Sequence, residues 1–279
     1  MPIRILSDDL INQISAGEVV ERPANIVKEL VENSIDSNAT KIEVFLRDGG
    51  LQSIIVNDNG YGIKETDLPI AILRYATSKL KNENLNEIQD FGFRGEALPA
   101  ISSISNMTIT SKIENQSYAS SIEIERGEII NQKPSNRGIG TTVEVVSLFE
   151  KVPARLKFLK TNRIELSHCK DIFLKIALSH PNIEFKFNID GRNIYDFKTD
   201  ENNNFINQDR LVAAFGDEFL DNSLEINYKK NSYRMNGKIS YPTFNSSTTS
   251  NQYLYVNKRS IKDKKILGAI KASYSETIP

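Results

Sequence analysis

Three stretches of the 279-residue chain carry residue types at spacings that suit chemistry. In the first, Glu29 and Asn33 are four residues apart, so on a helix they project from one side. A carboxylate can hold a water and accept its proton. An amide oxygen one turn later is a neutral, hard ligand for a Mg²⁺ that keeps most of its waters. On spacing alone the pair reads first as a solvated helix face. The second stretch is Asp58-Asn59-Gly60-Tyr61-Gly62 at a strand end. Glycines there let the chain turn and let a ligand come close, and an Asp beside them can accept from an exocyclic amine such as that of adenine. The same residues also make an ordinary turn. The third is Gly92-Phe93-Arg94-Gly95-Glu96-Ala97-Leu98, a glycine-rich lead into a helix, with Ala76-Thr77-Ser78-Lys79 upstream. Backbone amides in such a lead can cradle phosphate oxygens, with Lys79 as a counter-charge. A Walker-type Gly-x4-Gly-Lys-Ser/Thr loop is absent, so phosphates would not be held in that way.

The elements that position these groups follow from periodicity. Pro23 suits the first position of a helix running through Ala24–Ser34, with Val27, Leu30, Val31 and Ile35 at helical spacing. Lys41–Arg47 and Ser53–Asn57 alternate as strands across Asp48-Gly49-Gly50. A helix is expected over Lys64–Arg74, and residues 75–98 read as a long, functional loop. Met107–Lys112, Ala119–Glu125 and Thr141–Val146 alternate as strands. Arg163–Ser179 reads as a helix, and Ile183–Ile189 with Ile194–Phe197 as a hairpin. The polar run 200–204 reads as a linker. Beyond it a helix over Asp209–Leu220, strands near Leu224–Tyr228, Tyr233–Tyr241 and Tyr253–Val256, and a helix over Lys262–Ser273 complete an α+β pattern.

Composition narrows the classes. Thirty-five Lys and Arg against thirty-six Asp and Glu leave a net charge of −1, which excludes a wholly basic coat protein or a wholly acidic tail. Hydrophobic residues make up 39%, enough for a sizeable core. No apolar run reaches the ~18 residues that span a bilayer, and the start has no apolar leader core, so a cytosolic protein is expected. One cysteine, Cys169, permits no intrachain disulfide. With only two histidines, a Cys/His zinc site is nearly excluded. Cys169, on a helix, reads as packed rather than nucleophilic.

Together, Glu29-x3-Asn33, Asp58-x-Gly60-x-Gly62, Gly92-x2-Gly95 and Gly140-Thr141-Thr142 resemble the four motifs of the gyrase–chaperone–histidine kinase–MutL ATPase superfamily. Asn12–Pro23, Lys28–Ser34, Ala76–Lys79, Gly92–Leu98, Pro153–Leu159 and Tyr255-Val256-Asn257-x-Arg259 are similar specifically to the MutL mismatch-repair family. The resemblance implies a Bergerat-type ATP-binding α/β sandwich over 1–200 with a lid at about 75–98. A linker at 201–207 and a ribosomal-protein-like βαβ second domain over 208–279 would follow. It implies ATP and Mg²⁺ as cofactors. Glu29 would be the general base and Asn33 the metal ligand. Asp58 would read the adenine amino group, with Thr142 nearby through a water, and Gly60 and Gly62 would permit close approach. Lys79, Gly92, Phe93, Arg94 and Gly95 would hold phosphates.

The same resemblance implies MutS-type mismatch-recognition partners, a downstream repair nuclease or helicase, and self-association of N-terminal regions on ATP binding. It implies a bacterial cytosolic, nucleoid-associated setting. Sequence-nonspecific DNA contacts would fall to Arg259, Lys262, Lys264 and Lys265, which also read as a solvated face. The family's second domain continues to a lysine that reaches the γ-phosphate, so the sequence is expected to be a fragment that binds ATP better than it hydrolyses it. A nucleotide-gated binding module without useful turnover is the alternative. A topoisomerase subunit or a chaperone is disfavoured by the MutL-specific strings.

Overall fold

Pro23 opens a helix at the position where its missing N–H costs nothing; this helix, α1, spans Pro23–Asp36. The computed structural model describes residues 16–17, 19–79, 90–92, 94–150, 152–199, 207–246 and 249–274. After α1 come β1 (Lys41–Arg47), β2 (Ser53–Asp58), α2 (Ala97–Ser103), β3 (Asn106–Lys112), β4 (Ala119–Glu125), β5 (Glu128–Ser135) and β6 (Gly140–Val146). Then follow α3 (Pro153–Leu156), α4 (Asn162–Ser179), β7 (Glu184–Ile189) and β8 (Arg192–Phe197). The remaining elements are α5 (Gln208–Phe215), α6 (Asp217–Asp221), β9 (Ser223–Lys230), β10 (Tyr233–Ser240), β11 (Leu254–Val256), β12 (Arg259–Ile261) and α7 (Lys264–Tyr274). The chain divides into two units, Met1–Phe173 with Ile183–Asp196, and Leu174–Asn182 with Phe197–Pro279.

The first unit is built on an eight-stranded mixed sheet in the order β5-β4-β3-β6-β2-β1-β7-β8. Only the β1–β7 pair is parallel among the described pairings. Because side chains alternate across a strand, one face collects Ile42, Val44 and Leu46 of β1, Ile54 and Val56 of β2, Val143 and Val145 of β6, and Met107 and Ile109 of β3. Register aligns them: Val44 faces Val56, Val56 faces Val143, and Val143 faces Ile109. α1 lays Ile26, Val27, Leu30 and Val31 onto this face over β1 and β2, while α2 packs on β3 and β4. Phe173 of α4 packs edge-on against Phe185 and at a tilt against Phe187 of β7, the Phe173 and Phe187 ring centres 4.5 Å apart. Cys169 is buried, and burial with nearby Glu165 pushes its thiol up to about 12, so it packs as a small hydrophobe.

In the second unit β9–β10 and β11–β12 are separate antiparallel pairs. Arg210 of α5 is fully buried and holds the end of α4: its guanidinium donates to the carbonyls of Ala177 (2.5 Å), His180 (2.9 Å) and Lys198 (3.1 Å). No helix among the described residues is long and apolar enough to cross a membrane.

Two expectations are corrected, and one strand is added. The helix expected over Lys64–Arg74 is a series of turns with a short 3-10 segment at Ile70–Ile72, because Pro69 removes a donor within the first turns. The helix expected over Asp209–Leu220 breaks into α5 and α6 at Gly216, whose φ of 85° lies in the left-handed region. β5, with Pro134 in it, runs at the sheet's edge, where a missing N–H is tolerated. The linker expected at 200–204 lies outside the described residues. Ile54→Ala should lower unfolding free energy by about 2–5 kcal/mol, because Ile54 is fully buried beneath α1. Ile55→Ala, on the opposite face, should cost less than about half of that. Denaturant titration checks both.

Candidate functional site

The site is built around the C-terminal half of α1. Its apolar side faces the sheet, so Glu29, Asn33 and Asp36, at i, i+4 and i+7, share another side. Glu29 is 26% exposed, and one of its oxygens accepts from Lys28 Nζ at 3.0 Å. Lys28 also donates to Glu32 at 2.9 Å. The second Glu29 oxygen remains to hold a water.

Asp58 ends β2 on the buried face, in phase with Ile54 and Val56. Its Oδ2 accepts from Ser34 Oγ of α1 at 2.8 Å. Its Oδ1 accepts from the Gly60 N–H at 2.9 Å and from the Thr141 N–H at 3.1 Å. A carboxylate offers about four acceptor positions, so one on Oδ2 is left for a further donor. Burial pushes the Asp58 pKa above its ordinary 3.8. The Gly60, Ser34 and Thr141 donors, with the charge of Arg137, pull it back only in part. Arg137 braces the same strand end, donating to the Asp58 carbonyl at 2.8 Å and to Asn57 Oδ1 at 3.1 Å.

The glycines serve close approach, and what approaches is the protein's own backbone. A Cβ on Gly60 would stand 2.6 Å from the Ser37 carbonyl at the end of α1. Gly62, at φ 77°, lies against the Lys112 carbonyl of β3. Gly95, at φ 62°, lies against Ala76, and its carbonyl accepts from the Tyr75 N–H at 3.0 Å. This pairing brings the Ala76–Lys79 stretch beside the Gly92–Gly95 stretch.

Lys79 Nζ donates to Asn33 Oδ1 at 2.7 Å and to Asp36 Oδ2 at 2.6 Å. Asp36 also accepts from the Phe91 and Gly92 amides at 2.9 and 3.1 Å. Two hard oxygens, an amide and a carboxylate, therefore already hold a cation here, the chemistry a Mg²⁺ ligand set requires. Among the described residues no three His, Cys, Asp or Glu side chains converge as a metal cage. A Mg²⁺ here would rely on few protein ligands and complete its shell with water and phosphate.

Of the residues singled out by sequence, Glu29, Asn33, Asp58, Gly60, Lys79, Gly92 and Gly95 lie on or against α1 and the two stretches beside it. Arg94 is exposed, and Phe93 lies outside the described residues. Thr142 faces away from Asp58. Its Oγ1 donates to Asn57 Oδ1 at 2.9 Å, because adjacent strand residues point to opposite faces. Thr141 is the residue in phase with Asp58, and its hydroxyl pairs with Ser111. Sequence reading passed over Thr141, Ser34 and Asp36. The i+7 spacing of Asp36 from Glu29 was the available signal for the last.

Comparison with known proteins places the chain in a family. Residues 21–151 match the family of histidine kinase-, DNA gyrase B-, and HSP90-like ATPases, and residues 211–279 match the C-terminal domain family of DNA mismatch repair proteins. The chain is 43% identical over 278 residues to the DNA mismatch repair protein MutL of Bartonella bacilliformis, and 42% identical over 277 residues to that of Neisseria gonorrhoeae. This chain belongs to the MutL family. Those matches take in 100% and 99% of the chain but 45% and 41% of the relatives, so it spans less than half of their length. The Aquifex aeolicus MutL ATPase domain complexed with ADP superposes with a TM-score of 0.70 at 28% identity, covering 91% of this chain and 88% of that one. The N-terminal domain of a DNA repair protein superposes at 0.81, with 28% identity over 98% and 85%.

Within this site of the MutL-family chain the raised Asp58 pKa fixes the sign of a pH effect. A carboxylate whose folded pKa lies above 3.8 favours folding below that value and costs stability as pH rises through the raised one. Asp58→Asn keeps the shape and removes the charge, and Ser34 can donate instead to the Leu30 carbonyl 3.2 Å away. The variant should unfold at or above the parent's midpoint at neutral pH, with the difference shrinking towards about pH 4. Thermal unfolding across that range checks it.

Proposed function

We propose that the chain is a MutL-type module that binds ATP with Mg²⁺ and hydrolyses it, coupling mismatch recognition to later steps of DNA repair. The observation that carries the reading is that α1 unites every part of the site. Ser34 of α1 bonds the Asp58 carboxylate, Asn33 and Asp36 of α1 hold Lys79, and Asp36 holds the Gly92 amide. The matches to MutL relatives and to an ADP-complexed ATPase domain support it.

In this reading the remaining acceptor on Asp58 takes the adenine amino group. Asn33 Oδ1 is the protein ligand of Mg²⁺, which when bound would neutralise phosphate charge. Lys79 and the amides beside Gly92 and Gly95 hold phosphates. The free oxygen of Glu29 orients and deprotonates the attacking water, while Lys28 fixes the other oxygen. Nucleotide-dependent self-association and contact with a mismatch-recognition protein and a downstream nuclease or helicase belong to the same proposal. Glu29→Gln should keep ADP affinity within about twofold and lower phosphate release by about 100-fold. Equal release by parent and variant, with ADP binding intact, would select the binding-only alternative.

DNA contact is proposed for Arg259, Lys262, Lys264 and Lys265, all exposed around β12 and the start of α7. Lys264 and Lys265 occupy the first turn of α7, the positive end of the helix dipole, where cations do not help the fold. Asp263 caps that end, accepting from the Lys265 and Ile266 amides at 2.9 Å. Replacing both lysines by Ala should weaken duplex binding equally on unrelated sequences and reduce the log–log salt slope by about 2. Fluorescence anisotropy across a salt series reads this out.

A further inference from the structure

The donors proposed for phosphate already hold an anion of the protein's own. The Asp36 carboxylate is 3% exposed and accepts from the Lys79 ammonium and from two consecutive amides, those of Phe91 and Gly92. One ammonium with adjacent N–H groups aimed at a single point is the donor geometry of an anion site. The local fold does not favour a carboxylate there. Asp36 is the last residue of α1, so its charge lies at the negative end of the helix dipole. The three donors offset that cost. A Cβ on Gly92 would stand 3.2 Å from Lys79 Nζ and 3.6 Å from Asn33 Oδ1, so the glycine backbone, the lysine and the amide share one small volume. A second anion placed there meets a fixed negative charge at short range in a partly desolvated setting.

We infer that Asp36 is the resting occupant of the phosphate-binding donor set, and that a nucleotide binds by taking Lys79 and the two amides away from it. The inference rests on the nucleotide reading of the site and goes beyond it in two ways. Asp36 sets a threshold: a ligand must bring enough anionic charge to displace a carboxylate held by three donors, which favours a nucleoside di- or triphosphate over a monophosphate. The exchange also moves Lys79 off Asn33 Oδ1, so the amide oxygen becomes available to a cation only as phosphate arrives.

The test is calorimetric titration of ADP and AMP, with Mg²⁺ present, into the full chain and its variants. Asp36→Asn keeps the shape and removes the charge. It should bind ADP about fivefold to tenfold more tightly and narrow the preference for ADP over AMP. Lys79→Met should weaken ADP binding, and in that background the gain from Asp36→Asn should fall below about twofold. Parent binding with no gain, or a loss, in a folded Asp36→Asn overturns the inference and makes Asp36 a scaffold for the donors. An unchanged gain in the Lys79→Met background also overturns it, as general charge relief rather than donor exchange. Asp36→Ser repeats the test if Asp36→Asn does not fold. Failure of both to fold overturns the inference, since Asp36 would then hold the fold itself. No ADP binding by parent or variants rejects the nucleotide reading instead.

Discussion

The buried carboxylate of Asp58 is the constraint on which the rest of the structure depends. It joins three elements distant in sequence: Ser34 of α1 through its hydroxyl, Gly60 of the turn after β2, and Thr141 of β6 through their amides. Helical layer and sheet are therefore registered to each other by a polar contact placed within an apolar interface. Apolar packing alone is tolerant of small slides, whereas a charged group with three aligned donors is not. Once Asp58 is placed, the phase of α1 is set. With it are set the positions of Glu29, Asn33 and Asp36 along the helix's other side. Gly60 contributes by omission, because any side chain would push the end of α1 off the strand end.

Much of this was legible in the sequence, for reasons that differ by residue. The large sheet was readable because alternation is a local signal: β1, β3 and β6 each alternate over six or more residues, and β2 and β4 over shorter stretches. Family motifs named Glu29, Asn33, Asp58 and Lys79, since their types and order are written in the chain. Which residue of Gly140-Thr141-Thr142 meets Asp58 was not readable. It depends on strand register against β2, where Asn57 faces Thr142. The i+7 spacing put Asp36 on the side of Glu29, but its partners were hidden for a similar reason. Its partners arrive from positions 79, 91 and 92, and no pattern around position 36 announces them. The break at Gly216 reflects a backbone angle, and Glu218 and Phe219 beyond it look as helical as Leu211 and Val212 before it.

The two buried carboxylates beside α1 differ in what holds them, and the difference separates scaffold from working parts. The donors to Asp58 are a helix hydroxyl, an amide of the turn that closes β2 and an amide of β6, all held by the core elements themselves. The donors to Asp36 come from Lys79 and from amides outside any helix or strand, groups that can move without unzipping the core. A charge held by fixed donors orients what approaches it, and one held by movable donors can be exchanged for another. Charges are also set against a helix dipole at Asp36, the end of α1, and at Lys264 and Lys265, the start of α7. In each case local structure would be served as well by a neutral residue. At Asp36 the charge is accounted for by what it meets outside its own helix, Lys79 and two amides.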